Sequence, residues 1–363
     1  MDDETLEMFI RQYIEGQDGT RIVFSWQGGE PTLAGLAFFE KVVQLQAKYA
    51  PRGREVENDL QTNGILLDDN WCDFLKRHRF LIGLSIDGPR ELHDRCRVDR
   101  GGKPTFDRVM QAAQRLRTHG VPFNTLSTIH RWNVQQPLEV YRFLTRELGS
   151  TYVQFNPCVE PVDFRTHAPG QCDASSLPII GTAKAKPGRP DSVVTEWSVN
   201  PNDWGRFLCA CFDEWYARDV GRVLVNLFET AVAQTLGLPS QICVTGEFCG
   251  KGAAMEHDGT VYSCDHFVYP EYRLGNIRDR SIAELILSTR QKEFGFEKRD
   301  QLPDYCRCCP CGTFCWGECP KNRLVRTRQG EVGLNYLCHG IQAFHAHARS
   351  RLRKIAENLM QET

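Results

Sequence analysis

Cys306, Cys309, Cys315 and Cys319 stand in the run YCRCCPCGTFCWGECP with the spacing C-x2-C-x5-C-x3-C. Upstream, Cys249 and Cys264 flank Gly259 as C-x9-G-x4-C, and Cys243 and Cys338 bring the placed thiols to eight. Of the 16 Cys in the chain, ten lie between Cys243 and Cys338. Thiols at this density serve disulfides, zinc or iron–sulfur clusters, and each would fold the segment differently. No apolar export signal opens the chain, since MDDETLEMFIRQYIEG reads as an amphipathic helix with an acidic start. The expected location is therefore the cytoplasm, where clustered Cys reads as a metal site rather than a disulfide framework. No His is interleaved at finger-like spacing, and eight thiols suit two four-thiolate sites. Spacing alone leaves two [4Fe–4S] clusters and two zincs both open. Cys308 and Cys311 read as bystanders in the same loop.

A chain of 363 residues buries one large core or two moderate ones. Its formal net charge of -2 gives no global attraction to nucleic acid or to a membrane surface. Its apolar runs are too short to span a bilayer. From residue 21 to about 226, short apolar runs alternate with helical periodicity. Strands are predicted at Arg21–Trp26, Arg54–Asn63, Phe80–Asp87, Pro122–Ile129 and Thr151–Pro157. Helices are predicted at Leu36–Tyr49, Asp69–Arg77, Thr105–His119 and Gln135–Leu148. This alternation predicts βα units, a parallel sheet and a barrel or partial barrel. A Pro-, Gly- and Ser-rich connecting loop follows at about 164–201, then a helix from Pro201 to about Asp219. A polar, basic helix is expected from His339 to Met360.

Parallel α/β sheets carry their chemistry on the loops after the strands' carboxyl ends. Four unusual clusters fall there: WQGGEP (Trp26–Pro31), LQTNG (Leu60–Gly64), LSIDGP (Leu84–Pro89) and VQFNP (Val153–Pro157). In QGGEP the glycines admit close backbone approach and Glu30 offers an acceptor to an ammonium; the plain alternative is a tight turn with Glu30 opening a helix. Ser85 and Arg97 suit a ribose hydroxyl and a carboxylate, against a strand-end hydroxyl and a surface ion pair. Asp265 follows Cys264 directly. Beside a thiolate cage, burial and like charge would raise its pKa and suit it to general-base work, whereas the alternative is a turn residue.

QGGEPTL, LQTNG, LSIDG and VQF-P, followed by the Cys spacings above, resemble the radical SAM/SPASM enzymes, and most closely the anaerobic sulfatase-maturating type. The resemblance implies a partial (β/α)6 radical SAM barrel over residues 1–226, here missing its first strand. A Cys-rich SPASM domain with two auxiliary [4Fe–4S] clusters would follow over 227–340, and a C-terminal helix over 341–363. It implies one cluster on Cys243, Cys249, Cys264 and Cys319, and another on Cys306, Cys309, Cys315 and Cys338. S-adenosyl-L-methionine would meet Gly29 and Glu30 through its amine, Ser85 through its ribose and Arg97 through its carboxylate. Gln27 and Gln61 would line a cleft for a sulfatase polypeptide, and Asp265 would accept a proton. The implied reaction oxidises a Cys or Ser of that peptide to Cα-formylglycine. A 5′-deoxyadenosyl radical takes a Cβ hydrogen and an auxiliary cluster takes the remaining electron, with flavodoxin or ferredoxin as the type of external electron donor. No nucleic-acid or membrane partner is implied.

The sequence departs from that pattern in one place. The C-x3-C-x2-C triplet that ligates the SAM-cleaving cluster is absent, and the first Cys is Cys72 on a predicted helix. A fragment or a misplaced start codon is expected rather than a protein without radical chemistry. Two other readings stand beside the main one: a SPASM enzyme that forms thioethers or crosslinks on another peptide, and a non-catalytic zinc-binding interaction protein.

Overall fold

The computed structural model describes every residue except Cys172, in the expected connecting loop, and Thr363, the last residue of the expected C-terminal helix. The parallel strands succeed one another in chain order: β1 Arg21–Trp26, β2 Glu55–Thr62, β3 Leu81–Ser85, β4 Phe123–Ile129, β5 Tyr152–Pro157 and β6 Leu224–Val225. A second, antiparallel sheet comprises β7 Ala254–Met255, β8 Thr260–Tyr262 and β9 Arg273–Asn276. The residues group into two compact units, Met1–Leu126 with Gly252–Lys292, and Ser127–Lys251 with Glu293–Thr363.

In the first unit, period-2 alternation sorts the strands into two faces. Ile22, Phe24, Leu60 and Ile82 point into one core. They meet Phe39, Val42 and Leu45 of helix Leu36–Tyr49, Trp71, Phe74 and Leu75 of helix Asp69–Arg77, and Leu116 of helix Phe106–Thr118. Asp68 starts the second of these helices by accepting from the Trp71 N–H at 2.9 Å, the usual way to satisfy an orphan donor at a helix start. The opposite strand face carries Ser25, Asp59, Gln61, Gly83 and Ser85, and so stays polar. Helix Asp3–Glu15 packs Met8, Phe9 and Tyr13 on Val261, Ile277, Ile282 and Leu285. Polar contacts fix the same pairing, with Gln12 bonded to the Ile277 carbonyl at 3.0 Å and to the Ile282 N–H at 2.9 Å.

In the second unit, helices Pro201–Arg218 and Cys338–Glu362 pack closely enough that a Cβ on Gly340 would sit 2.1 Å from the Pro201 carbonyl oxygen. Two glycines, Gly205 and Gly340, are what permit this approach. Beside them Phe212, Phe228 and Phe344 form an aromatic triad with centroids 5.3 to 5.8 Å apart. No helix among the described residues is long and apolar enough to cross a membrane.

The predicted strands and helices recur within a residue or two, with one exception, and helices Asn226–Thr235 and Thr289–Asp300 and strands β6 to β9 lie outside the predicted set. Predicted helix Gln135–Leu148 divides into α-helix Pro137–Arg142 and a π-turn Phe143–Glu147, where the Leu148 N–H reaches back to the Phe143 carbonyl at 2.8 Å. Strand β6 was not predicted, because two residues are too few to show alternation.

Candidate functional site

The loop after β1 turns through Gly28 and Gly29 at φ of 96° and 55°. A Cβ on either would meet nothing within 4 Å, so this backbone faces open space. Glu30 then caps the 3-10 turn Pro31–Ala34. Its Oε1 accepts from the Thr32 N–H at 3.0 Å, the Thr32 hydroxyl at 2.6 Å and the Thr62 hydroxyl at 2.7 Å, while Oε2 accepts from the Asn63 N–H at 2.7 Å. The carboxylate therefore pins the loop after β1 to the end of β2. Helix opening, the plain reading of Glu30, is thus present, with a cross-strand clamp added to it.

Thr62 sits beside Gln61, whose Nε2 donates to the Ser85 hydroxyl at 2.9 Å. A Cβ on Gly83, Gln61's register partner on β3, would fall 2.0 Å from Gln61 Oε1, so the missing side chain is what lets Gln61 lie across the sheet. Gln27 is exposed on the loop after β1. Sequence reasoning overlooked Asp59. It lies on the same face two residues before Gln61, accepts from the Ser25 hydroxyl at 2.7 Å, and burial pushes its pKa up. Period-2 spacing from Gln61 was the signal that marks it.

Arg97 donates from Nε to Asp87 Oδ2 at 2.6 Å, and Asp87 is 2% exposed. Around that pair runs a closed hydrogen-bonded ring. The Asp87 N–H donates to His93 Nδ1 at 3.3 Å, His93 Nε2 faces the Thr105 hydroxyl at 3.1 Å, and that hydroxyl donates to the Arg97 carbonyl at 2.7 Å. Acceptance at Nδ1 places the imidazole proton on Nε2. Burial pushes the His93 pKa down to about 4. The sequence pointed to Arg97, but not to the imidazole behind it.

Fifteen described Cys are free of disulfides. Cys306, Cys309, Cys311, Cys315 and Cys338 line one cavity of about 370 Å³ with Tyr305. That is several times the ~30 Å³ share of a water molecule, and room for a multi-iron group. Among the described residues no three His, Cys, Asp or Glu are close enough to share a single metal ion. Burial pushes the Cys306 thiol up to about 11 and Cys315 up to about 12. Thiolate ligation must therefore drive protons off these sulfurs. Cys319 does not line this cavity. Between Cys315 and Cys319 the chain turns through three left-handed residues, Trp316, Gly317 and Glu318, at φ of 48°, 68° and 51°. Two of the three are not glycine, a strain that persists only where surroundings enforce it. Cys319, pushed up to about 12 by burial, sits in the field of Glu318 and then of Cys249 and Cys243.

Cys264 follows β8 in the other unit, and its thiol donates to Asp265 Oδ1 at 3.0 Å. The expected burial of Asp265 is not found: it is exposed, opening the 3-10 turn Asp265–Phe267 just past the hairpin's last strand residue. His266 shares that turn and is also exposed.

Residues 1–144 match the Radical SAM superfamily model, and residues 247–310 match that of an iron-sulfur cluster-binding domain. A serine-type anaerobic sulfatase-maturating enzyme of Bacteroides thetaiotaomicron is 42% identical over 100% of this chain and 84% of its own length. A cysteine-type anaerobic sulfatase-maturating enzyme of Clostridium perfringens is 32% identical over 99% of this chain and 90% of its own. A solved structure described as native anSMEcpe with bound AdoMet and Cp18Cys peptide superimposes with a TM-score of 0.84. It is 32% identical, covering 99% of this chain and 92% of that one. A parallel α/β sheet of radical SAM type with a Cys-rich SPASM segment, and identity at this level across the whole chain, lead to one conclusion: the chain is an enzyme of the radical SAM superfamily and belongs to the anaerobic sulfatase-maturating enzymes.

Proposed function

We propose that this chain acts on a sulfatase polypeptide, oxidising a Cys or Ser side chain to Cα-formylglycine. The observation that carries the reading is the cavity ringed by Cys306, Cys309, Cys315 and Cys338, on a chain whose relatives at 42% and 32% identity are named for sulfatase maturation. By its chemistry the sequence divides into a radical SAM part over 1–226, an auxiliary-cluster part over 227–340 and a terminal helix over 341–363.

Four of the five cavity thiols, Cys306, Cys309, Cys315 and Cys338, would hold one [4Fe–4S] cluster, while Cys243, Cys249 and Cys319 would serve another. For that second cluster the family resemblance supplies all four ligands, Cys264 among them. Bound S-adenosylmethionine and the clusters supply hydrogen abstraction from the substrate Cβ and uptake of the electron left behind.

The rest falls to side chains and backbone. Gly28 and Gly29 leave their amides and carbonyls open to the methionyl amine, beside a Glu30 carboxylate already locked in place. Ser85 accepts from Gln61, so its own proton is directed to a ribose oxygen. Asp87 holds the Arg97 guanidinium for the methionyl carboxylate. Gln61, fixed by Ser85, and the exposed Gln27 would meet the peptide. Asp265 would take the substrate proton. Once Cys264 is a thiolate ligand, its thiol no longer donates to Asp265, which leaves that carboxylate ready to accept.

No C-x3-C-x2-C triplet occurs in these residues. We therefore expect these residues to bind S-adenosylmethionine and peptide, and cofactor cleavage to need such a triplet, supplied for the test in an extended chain. The test weighs Ser- and Cys-containing sulfatase peptides after anaerobic incubation with reductant and S-adenosylmethionine. A Ser peptide lighter by two hydrogens, or a Cys peptide converted to the same aldehyde, is the expected product with the extended chain. Unchanged masses for both peptides there would refute the assignment.

A further inference from the structure

Helix Thr289–Asp300 carries Lys298, whose side chain is 1% exposed. Its Nζ meets three backbone carbonyl oxygens, of Cys243 at 2.6 Å, Val244 at 2.9 Å and Gly246 at 2.5 Å. Three acceptors match the three donors of an ammonium, whereas a neutral amine would aim its lone pair at one of them. Lys298 is therefore a buried cation. The approach depends on Gly295, one turn back, because a Cβ there would lie 2.8 Å from the Cys249 carbonyl oxygen.

Arg323 is the second buried cation, permanently charged. Its Nη2 donates to the Lys298 carbonyl, and its Nε is buried without a hydrogen-bond partner among the described residues. Gly317 makes space for it, since a Cβ at that position would come within 3.0 Å of Arg323 Nη2. The two cations face different sulfurs. Lys298 lies against the Cys243 carbonyl on a helix whose Gly295 abuts the Cys249 carbonyl, whereas Arg323 lies against Gly317, midway in sequence between Cys315 and Cys319.

Two like charges in one interior need compensating anions, because desolvating each costs several kcal/mol. Glu318 is the near carboxylate. It is buried and accepts from Asn335 Nδ2 at 2.7 Å and Asn322 Nδ2 at 3.3 Å, one carboxylate beside two cationic side chains. With neutral thiols the region is short of negative charge. A [4Fe–4S] cluster in its oxidised form with four thiolates is a dianion, and each one-electron reduction adds another negative charge.

We propose that Lys298 and Arg323 form a buried cationic bridge between the two thiol sets, and that their charges raise the reduction potentials of the clusters held there. This rests on the two-cluster reading above. Lys298 acts on the cluster of Cys243, Cys249 and Cys319. Arg323 acts on both. Neither touches the reacting atoms, so both are positioning residues that act through charge.

The test compares anaerobically reconstituted wild type with Lys298→Met, Lys298→Arg and Arg323→Met by iron content and by dithionite titration followed by electron paramagnetic resonance. At the wild-type midpoint, Lys298→Met is expected to lower the reduced-to-oxidised ratio of one cluster at least tenfold, about 59 mV for one electron. Arg323→Met should shift both clusters, and Lys298→Arg should stay near wild type. Loss of iron from Lys298→Met that Lys298→Arg restores also supports a role for charge. Full iron with unchanged midpoints in both neutral variants would overturn the proposal, and so would loss of iron from Lys298→Met and Lys298→Arg alike. Wild type that binds zinc and no iron would refute the two-cluster reading itself, a failure visible before any variant is compared.

Discussion

The strand ends of β1 to β3 and the thiol region from Cys243 to Cys338 differ first in what holds them. At the strand ends polar side chains are tied to one another and to nearby backbone by hydrogen bonds. Glu30 is tied by four hydrogen bonds to Thr32, Thr62 and Asn63, Gln61 is tied to Ser85, and Arg97 is tied to a buried Asp87. From Cys306 to Cys319 the thiol region has short helical turns instead of ladders, a left-handed run at Trp316–Glu318, and thiols pushed up to about 11 and 12, and the region also buries Lys298 and Arg323. One site is preorganised before any ligand arrives. The other has an electrostatic balance that closes only when sulfurs give up protons to a metal.

The sharpest way to break this contrast is to remove one thiol from each class. Cys315→Ala is expected to lower bound iron by about half, from about eight to about four per chain, because one of two four-iron clusters loses a ligand. Cys311→Ala, which removes another cavity thiol, is expected to leave iron unchanged. Iron and sulfide analysis after anaerobic reconstitution reads both, and equal losses would erase the distinction between ligand and bystander.

A smaller effect is expected at the buried ion pair of the strand-end site. Arg97→Ala leaves Asp87 as a buried carboxylate without its ion pair, a change worth about 3 kcal/mol of stability. Urea unfolding measures that loss, and equilibrium binding of S-adenosylmethionine should weaken with it. Stability unchanged within error would mean that the pair is ornamental.

The imidazole behind that pair gives the site a pH dependence with a fixed sign. His93 titrates near 6.5 in the unfolded chain and is held down to about 4 in the fold. Between these values the unfolded state binds a proton that the folded state refuses, so stability falls as pH drops from 6.5 toward 4 and is fully present above 6.5. The effect is at most about 3 kcal/mol, and His93→Gln should flatten that part of the curve. Smallest of all, Gly83→Ala must displace Gln61 from Ser85, costing about 1 kcal/mol for one hydrogen bond. The change should appear in the Kd for peptide more than in unfolding.

The same contrast explains what could be read from sequence. Strand β1 and helices Leu36–Tyr49 and Asp69–Arg77 stand where periodicity put them, because a half-buried sheet and its covering helices impose periods of 2 and 3.6 on apolar residues. Glu30, Gln61 and Ser85 were visible as polar residues at strand ends, and Arg97 as a guanidinium in the run that follows LSIDGP. Asp265 was visible as a neighbour of Cys264, but not its exposure, which depends on how the turn after β8 leaves the hairpin. Lys298 was not visible at all. Its run, FEKRDQL, looks like a solvated helix end, and only the stripe Gln291, Phe294 and Lys298, each buried at helical spacing, marks that face as interior. Long-range acceptors such as the Cys243, Val244 and Gly246 carbonyls leave no local trace in sequence.

The measurement that tests the whole account most directly is metal and sulfide content of the anaerobically purified chain, read beside its visible spectrum. Two auxiliary clusters predict a brown protein with about eight irons and as many sulfides per chain, and negligible zinc. A colourless protein carrying stoichiometric zinc would contradict the cluster assignment, and with it the proposed role of residues Cys243 to Cys338.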